Sequence, residues 1–394
     1  MKNIKLPEEW KAEKLENLVS FIRGSEPGSD SYTDDDTYTR FLRVSDISGT
    51  SKQKVYTVAN NLKLVNKGDL LITLDGTPGI ISDQFEGAIS SGIRKIDIIN
   101  DELLQDYLKF YLRSDNVQRI IYKYATGATI LHASKSIQYI DVIIPSLQTQ
   151  KKIVEILEKA EKALEKRKEA INLLDELVKS QFIEMFGDTI INPNAYPIKH
   201  LENFAEIVSG ITKGRKTSNK QLKEVPYMRV ANVKDGYIDW GEVKTIEVTI
   251  EEIDRYRLFE DDVLMTEGGD ADKLGRGAIL YNPPKDCIHQ NHIFRVRLNK
   301  NSINPIYFSE YLKHPLIKHY FLRCGKQTTG IASINMGQLK KAPILIAPIE
   351  LQNQFADFVK QTDKLKFEME ESLKELENNF NSLIQSSFKG ELVK

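Results

Sequence analysis

The sequence predicts an α+β chain in which two repeated mixed α/β bodies are joined and separated by two long antiparallel helices forming an intramolecular coiled coil. Three observations carry this expectation. Short phrases recur in the same order along the chain, which is the mark of an internal duplication. Each copy ends in a stretch without glycine or proline whose apolar residues follow a heptad rhythm. The length of 394 residues divides into about two to four domains of ordinary size.

The repeat opens on a strand-like phrase. Phe41-Leu42-Arg43-Val44-Ser45-Asp46-Ile47 matches Tyr227-Met228-Arg229-Val230-Ala231-Asn232-Val233, 186 residues on. Lys67-Gly68-Asp69-Leu70-Leu71-Ile72-Thr73 then matches Glu260-Asp261-Asp262-Val263-Leu264-Met265-Thr266, a turn entering a strand, 193 residues on. Thr126-Gly127-Ala128-Thr129-Ile130 answers Thr329-Gly330-Ile331-Ala332-Ser333, and Leu147-Gln148-Thr149-Gln150 answers Leu351-Gln352-Asn353-Gln354, at separations of 203 and 204. Leu177 to Phe182 and Leu383 to Phe388 close the copies at 206. The drift places the length differences inside the bodies. Two copies of about 200 residues are too few and too long for a solenoid.

Within the bodies, residues 67–99 and 226–298 alternate short Val, Ile and Leu runs with Gly, Asp and Asn, as twisted sheets with irregular loops do. Leu103 to Tyr124 and Pro305 to Leu322 read as helices whose Tyr and Phe residues belong to the core. In the first tail Ile153, Leu157, Ala160, Leu164, Ile171, Leu174, Val178 and Met185 fall on alternating steps of four and three, interrupted at Arg167 and Gln181. The second tail carries Phe355, Phe358, Leu365, Met369, Leu373, Leu376, Phe380 and Leu383, with Thr362 in the series and one extra four-step after Met369, a stutter. Helices of about 35 residues span roughly 50 Å. One apolar stripe of that length calls for a partner, and the other tail is the one at hand. The division is 1–147, 148–187, 188–349 and 350–394.

Composition excludes several classes. With 41% hydrophobic and 28% charged residues, the chain is neither disordered nor low in complexity. No run of about 18 apolar residues and no apolar leader occurs, so a cytoplasmic protein without membrane spans is expected. Two cysteines, Cys287 and Cys324, make neither a disulfide framework nor a zinc ligand set. The net charge of −1 gives no general attraction to polyanions.

Catalytic motifs are weak. Asn282-Pro283-Pro284-Lys285 is like the loop with which amino-methyltransferases hold a flipped adenine, but Lys285 replaces the stacking aromatic residue, and a surface turn is the better reading. Glu242-Val243-Lys244 after Asp235 and Asp239 is only a faint nuclease-like cluster. His289 and His292 lack a third ligand for a metal. Phosphate-binding and dinucleotide-binding glycine motifs are missing.

Candidate nucleic-acid contacts are local. The second body carries the basic excess, 23 Lys and Arg against 19 Asp and Glu over residues 188–348. Its candidates are the loop with Lys213, Arg215 and Lys216, the segment Lys326-Gln327-Thr328, where an amide can pair with an adenine edge, and Arg229, Asn232, Gln290 and Asn291. In the first body they are Tyr32, Thr33, Arg40 and Arg43, then Ser91 and Arg94, then Thr129, His132 and Ser134. Arg43 and Arg229 form the clearest matched pair.

Two variable bodies, each closed by a Pro-x-Leu-Gln-x-Gln phrase or a near relative and a heptad helix, resemble the specificity subunits (HsdS) of Type I restriction-modification systems. The stretches that carry the likeness are Ile144-Pro145-Ser146-Leu147-Gln148-Thr149-Gln150-Lys151-Lys152-Ile153-Val154, Ala347 to Gln354, Lys67-Gly68-Asp69 and Ser387-Phe388-Lys389-Gly390-Glu391-Leu392, and the resemblance covers the whole chain. It implies a non-catalytic reader of double-stranded DNA with two target recognition domains, 1–147 and 188–349, one for each half of a bipartite, asymmetric sequence. It implies that residues 148–187 and 350–394 are the central and C-terminal conserved regions, with Ile153, Leu157, Leu164, Ile171, Leu174 and Val178 facing Phe358, Leu365, Met369, Leu376, Phe380 and Leu383. Two modification (methyltransferase) subunits and restriction (translocase and endonuclease) subunits are the implied partners. S-adenosylmethionine, ATP and Mg belong on those partners, and no cofactor on this chain. The competing class is a coiled-coil scaffold with two peptide- or protein-binding domains, and a third reading places the reader with a fused nuclease and methyltransferase.

Overall fold

A computed structural model describes residues 7, 9–214, 221–269, 274–328 and 331–392. The chain forms two units, one taking residues 1–169 and 369–394 and the other residues 170–368. This grouping cuts across the serial division expected from sequence, because each unit contains part of both long helices.

In the first unit a four-stranded antiparallel sheet runs in the order Val19–Arg23, Ile93–Ile98, Leu70–Thr73, Ile81–Ser82. Leu70–Thr73 is buried at every residue, which is why it reads as an unbroken apolar run. A five-stranded sheet follows the order Tyr32–Thr33, Val55–Thr57, Thr39–Leu42, Gly87–Ile89, Leu64–Val65, with Gly87–Ile89 parallel to Thr39–Leu42. The second unit repeats the plan. Its four-stranded sheet is ordered Ala205–Ser209, Ile293–Leu298, Val263–Thr266, Gly277–Ile279, and in its three-stranded sheet Ile288–His289 runs parallel to Lys223–Met228. The duplication in sequence is therefore a duplication of topology.

The strand-like opening phrase is only half strand. Thr39–Leu42 ends at Arg43, and Val44–Ile47 is one turn of helix; in the second unit Lys223–Met228 ends at Arg229 and Val230–Asn232 is a short 3-10 turn. Arg43 N–H donates to Asp46 Oδ2 at 2.8 Å, and Arg229 N–H to Asn232 Oδ1 at 3.0 Å. A polar side chain three residues on thus satisfies the first free amide, as a helix start requires.

The helical hairpins Gln105–Leu112 with Asp115–Lys123, and Pro305–Tyr311 with Pro315–Cys324, hold core aromatics. Tyr107 and Tyr111 donate to the carbonyls of Ile143 and Asp141, each at 2.7 Å. Tyr307 and Tyr311 donate to those of Leu345 and Pro343, each at 2.9 Å. All four rings are buried, and each hydroxyl finds the partner that burial demands.

Gln150 and Gln352 fix where the long helices begin. Both are fully buried. Gln150 Oε1 accepts from Leu104 N–H, while Nε2 donates to the carbonyls of Glu102 and Pro145. Gln352 makes the same three bonds with Asn304 N–H and the carbonyls of Ser302 and Ala347. The structural equivalence is therefore Gln150 with Gln352, 202 residues apart, two fewer than the sequence match of the Leu-Gln phrases.

The long helices are Leu147–Phe186 and Ile349–Phe388, 40 residues each and about 60 Å long. Both begin one residue before the expected segments at 148 and 350, just after Pro145-Ser146 and Pro348, where a helix tolerates proline. In the first unit their segments pack together with Ile153, Val154 and Leu157 beside Ile384 and Phe388 in one core, and Lys168 Nζ lies 3.1 Å from Glu377. In the second unit Val178, Phe182 and Phe186 share a core with Phe355, Ala356 and Val359, and Lys366 Nζ lies 2.7 Å from Asp175. Within each unit the segments run antiparallel.

Residues 153, 157, 160, 164, 167, 171, 174, 178, 181 and 185 are all buried or half-buried, as are 355, 359, 362, 366, 369, 373, 376, 380, 383 and 387. Both series step strictly by four and three, so Arg167 and Gln181 belong to the stripe and the expected stutter is absent. The correction falls on Leu365, which is 46% exposed. Lys366 takes its place, lying its alkyl stem in the seam while its ammonium reaches Asp175. Among the described residues no helix is long and apolar enough to cross a membrane.

Candidate nucleic-acid interface

Most of the first-unit candidates converge on one hydrogen-bonded network. Tyr32 Oη donates to Glu26 Oε2 at 3.2 Å, and Glu26 Oε1 accepts from both the backbone and hydroxyl of Ser91 at 2.9 and 2.8 Å. Arg94 donates to the Ser91 carbonyl and pairs with Asp75 at 3.4 Å. The other Asp75 oxygen holds His132 Nδ1 at 2.8 Å, and Ser134 Oγ accepts from Arg94 at 3.3 Å. The strands Asp75–Gly76 and Leu131–His132 pair antiparallel, setting Asp75 opposite His132. Close passage of the backbone accompanies this network: a Cβ on Gly24 would stand 2.2 Å from the Ser90 carbonyl oxygen, and in the second unit one on Gly210 would stand 2.0 Å from that of His289.

Tyr32, Thr33 and Arg43 line a cavity of about 320 Å³ with Asp34, Gln53 and Val55. Arg43 donates to Ser51 Oγ and the Gln53 carbonyl, and Arg40 to Asp46 and the carbonyls of Phe41 and Val55. Burial acts to raise the Asp46 carboxyl, and the Arg43 amide and Arg40 guanidinium outweigh it, holding the group below the usual carboxylate range. Thr129 is exposed in the turn that Thr126 and His132 close by exchanging backbone bonds.

In the second unit Arg229 reaches the Glu242 carbonyl and carboxylate, both at 3.1 Å, as Arg43 reaches Gln53. The matched arginines thus brace equivalent loops. Hydrogen bonding from Arg229 holds the Glu242 carboxyl below its ordinary range, as the ion pair between them requires. Among the described residues no cluster of three or more His, Cys, Asp or Glu could hold a metal ion. Asn282 to Lys285 form a surface turn with Asn282 in the left-handed region. Gln290 Oε1 accepts from Val230 N–H at 3.3 Å, and Asn291 Nδ2 lies 3.2 Å from His292 Nε2. Lys213 is exposed. Arg215 and Lys216 lie outside the described residues. Lys326, Gln327 and Thr328 form a strand, and their side chains lie outside the description.

Two candidates need correction as direct contacts. Arg94 and Asn232 are 7% and 3% exposed. Arg94 is held by Asp75 and backbone carbonyls, and Asn232 spends its amide on Arg229, Asp239 and Glu242. Both position loops from beneath. Sequence reasoning missed Glu26, Asp75, Glu267 and His292, whose partners lie many residues away; His292 Nδ1 sits 2.6 Å from Glu267 Oε2.

Comparison with known proteins extends this geometry. The family model described as Type I restriction modification DNA specificity domain matches residues 7–173 and again 193–378. The chain is 23% identical to the Type I restriction enzyme EcoKI specificity subunit of Escherichia coli over 99% of this chain and 90% of that protein. It is 23% identical to the StySPI specificity subunit of Salmonella potsdam, again over 99% and 90%. Its fold is like that of the S subunit of a Type I restriction-modification system from M. genitalium, at a TM-score of 0.54 and 15% identity over 98% of both chains. It is also like a chain from a structure described as the basis of complex assembly and conformational transition of the type I R-M system, at a TM-score of 0.60 and 17% identity over 98% of this chain and 100% of that one.

Proposed function

The chain belongs to the Type I restriction modification DNA specificity family, whose members supply sequence specificity and no catalysis, and from this we propose that it reads a bipartite, asymmetric DNA site with one unit per half-site. Methyltransferase subunits dock on it and restriction subunits join through them; S-adenosylmethionine, ATP and Mg serve on those partners. The supporting observation is the doubled topology, in which Arg43 and Arg229 brace equivalent loops on equivalent sheets. Two similar heads on one chain gain affinity through effective concentration when both half-sites are present at the right separation. The long helices set that separation.

The test is exchange. Replacing residues 1–147 by the equivalent segment of a relative, in a host carrying the modification partner, is expected to change one half of the methylated sequence and leave the other intact by methylated-base mapping. A change in both halves would refute one head per half-site. A coiled-coil scaffold would confer no sequence-defined methylation at all.

A further inference from the structure

One position in the fold changes character between the units. In the first unit Thr73 N–H donates to the Ile80 carbonyl at 3.0 Å, and in the second Thr266 N–H donates to the Arg276 carbonyl at 3.2 Å. The same strand pairing leads into each bond, Ile72 opposite Ile81 and Met265 opposite Gly277. Ile80 and Arg276 are therefore equivalent, and each faces its threonine across two antiparallel strands, on one side of the sheet. Ile80 is half-buried and packs on the core formed by Leu42, Leu71 and Ile93. The corresponding core of the second unit holds Met228, Leu264 and Ile293. At the matching position stands a guanidinium.

The fold makes no use of it. Arg276 is half-buried, its Nε is buried without a partner, and among the described residues the side chain makes no hydrogen bond or ion pair. The neighbouring threonine is in the same condition. Thr73 Oγ1 donates to the Thr77 carbonyl at 2.6 Å and accepts from Ile80 N–H at 3.0 Å. The segment from Thr266 to Arg276 is three residues longer than that from Thr73 to Ile80, and the buried Thr266 hydroxyl has no partner. The backbone is clamped all the same, since Gly236 N–H donates to the Gly277 carbonyl at 3.0 Å and a Cβ on Gly275 would stand 2.2 Å from the Phe321 ring. A half-buried cation without a partner is costly. Where the first unit packs an isoleucine, the second bears that cost on a rigid support.

We infer that Arg276 is a contact to a DNA phosphate with no counterpart in the first unit. This rests on the DNA-reading function proposed above. With Nε buried, the ligand has to meet the outer edge of the guanidinium, and with the side chain half-buried, the ligand has to project toward the protein. A phosphate oxygen meets both conditions. A base edge lies at the floor of a groove, and reaching it takes a side chain that stands clear of the surface. The basic excess of residues 188–348 has the sign that this contact needs.

The full chain is titrated with two duplexes of about 30 base pairs and unrelated sequence, by fluorescence anisotropy across salt concentrations, and is separately unfolded with urea. Arg276→Gln and Arg276→Ile are each expected to lower the slope of log affinity against log salt by about one on both duplexes. Going from about 50 to about 200 mM salt then costs about fourfold less affinity. Arg276→Lys, which keeps the charge, is expected to retain the parental slope. Arg276→Ile, which installs the residue that the first unit packs here, is expected to raise the urea midpoint; an arginine serving the fold would give a lower one. A parental slope in the Gln and Ile variants, a lowered midpoint for the Ile variant, or a loss confined to one duplex at unchanged slope overturns the inference while leaving DNA reading intact. No binding of the parent to any duplex overturns the proposed function itself.

Discussion

Gln150 and Gln352 show how much one side chain can organise. Each joins a helix start to the loop before the aromatic hairpin with three hydrogen bonds made by a fully buried side chain. Leucine fills similar space but leaves an amide and two carbonyls unpaired, so Gln150→Leu or Gln352→Leu is expected to cost about 2–4 kcal/mol. A lower urea midpoint at unchanged slope would show it. The sequence displayed these glutamines but not their register, because the neighbouring Gln148 and Gln354 make an equally good match of letters; burial separates them. His314, stacked on Phe182 with ring centroids 3.8 Å apart, and His289, between the carbonyls of Tyr256 and Val208, are both held at about 4 by burial. The unfolded chain binds their protons more tightly. Stability is therefore full above about pH 6.5 and falls toward pH 4, by about 1.4 kcal/mol per pH unit for each ring. His314→Phe keeps the stack and is expected to remove one such contribution from the slope of stability against pH, measured by denaturation between pH 4.5 and 7.

At the level of elements, the long helices were legible because a 4-3 rhythm without glycine or proline has few other readings. Their fine register was not. Counting only apolar residues selected Leu365, whereas the seam uses Lys366, a choice made by Asp175 on the facing helix, and it passed over Val359, which is buried beside the half-buried Phe358. The strict rhythm makes a length test clean. Seven residues inserted after Lys166 and seven after Leu376 preserve both series and add about 10 Å, or about three base pairs of duplex. The unread gap of the methylated site is expected to lengthen by that amount with both half-sites unchanged. An unaltered gap would refute the spacing role of the helices.

For the whole molecule, the duplication was the strongest signal in the sequence, and it fixed both the order of elements and the family resemblance. The contacts of the candidate interface were hidden for a physical reason. Asp75 and His132 are 57 residues apart, Glu267 and His292 are 25 apart, and pairing across strands leaves no local pattern to read. The same separation in sequence shapes the birth of the protein on the ribosome. Phe388 and Ile384 fill the first unit's core against Tyr107 and Tyr111, so that unit lacks part of its interior until residues 384–388, which follow the whole of the second unit in the chain, have been made. The second unit is one contiguous segment, residues 170–368, and is complete earlier. Of the two units, the one whose synthesis starts earlier is the one whose core is completed later.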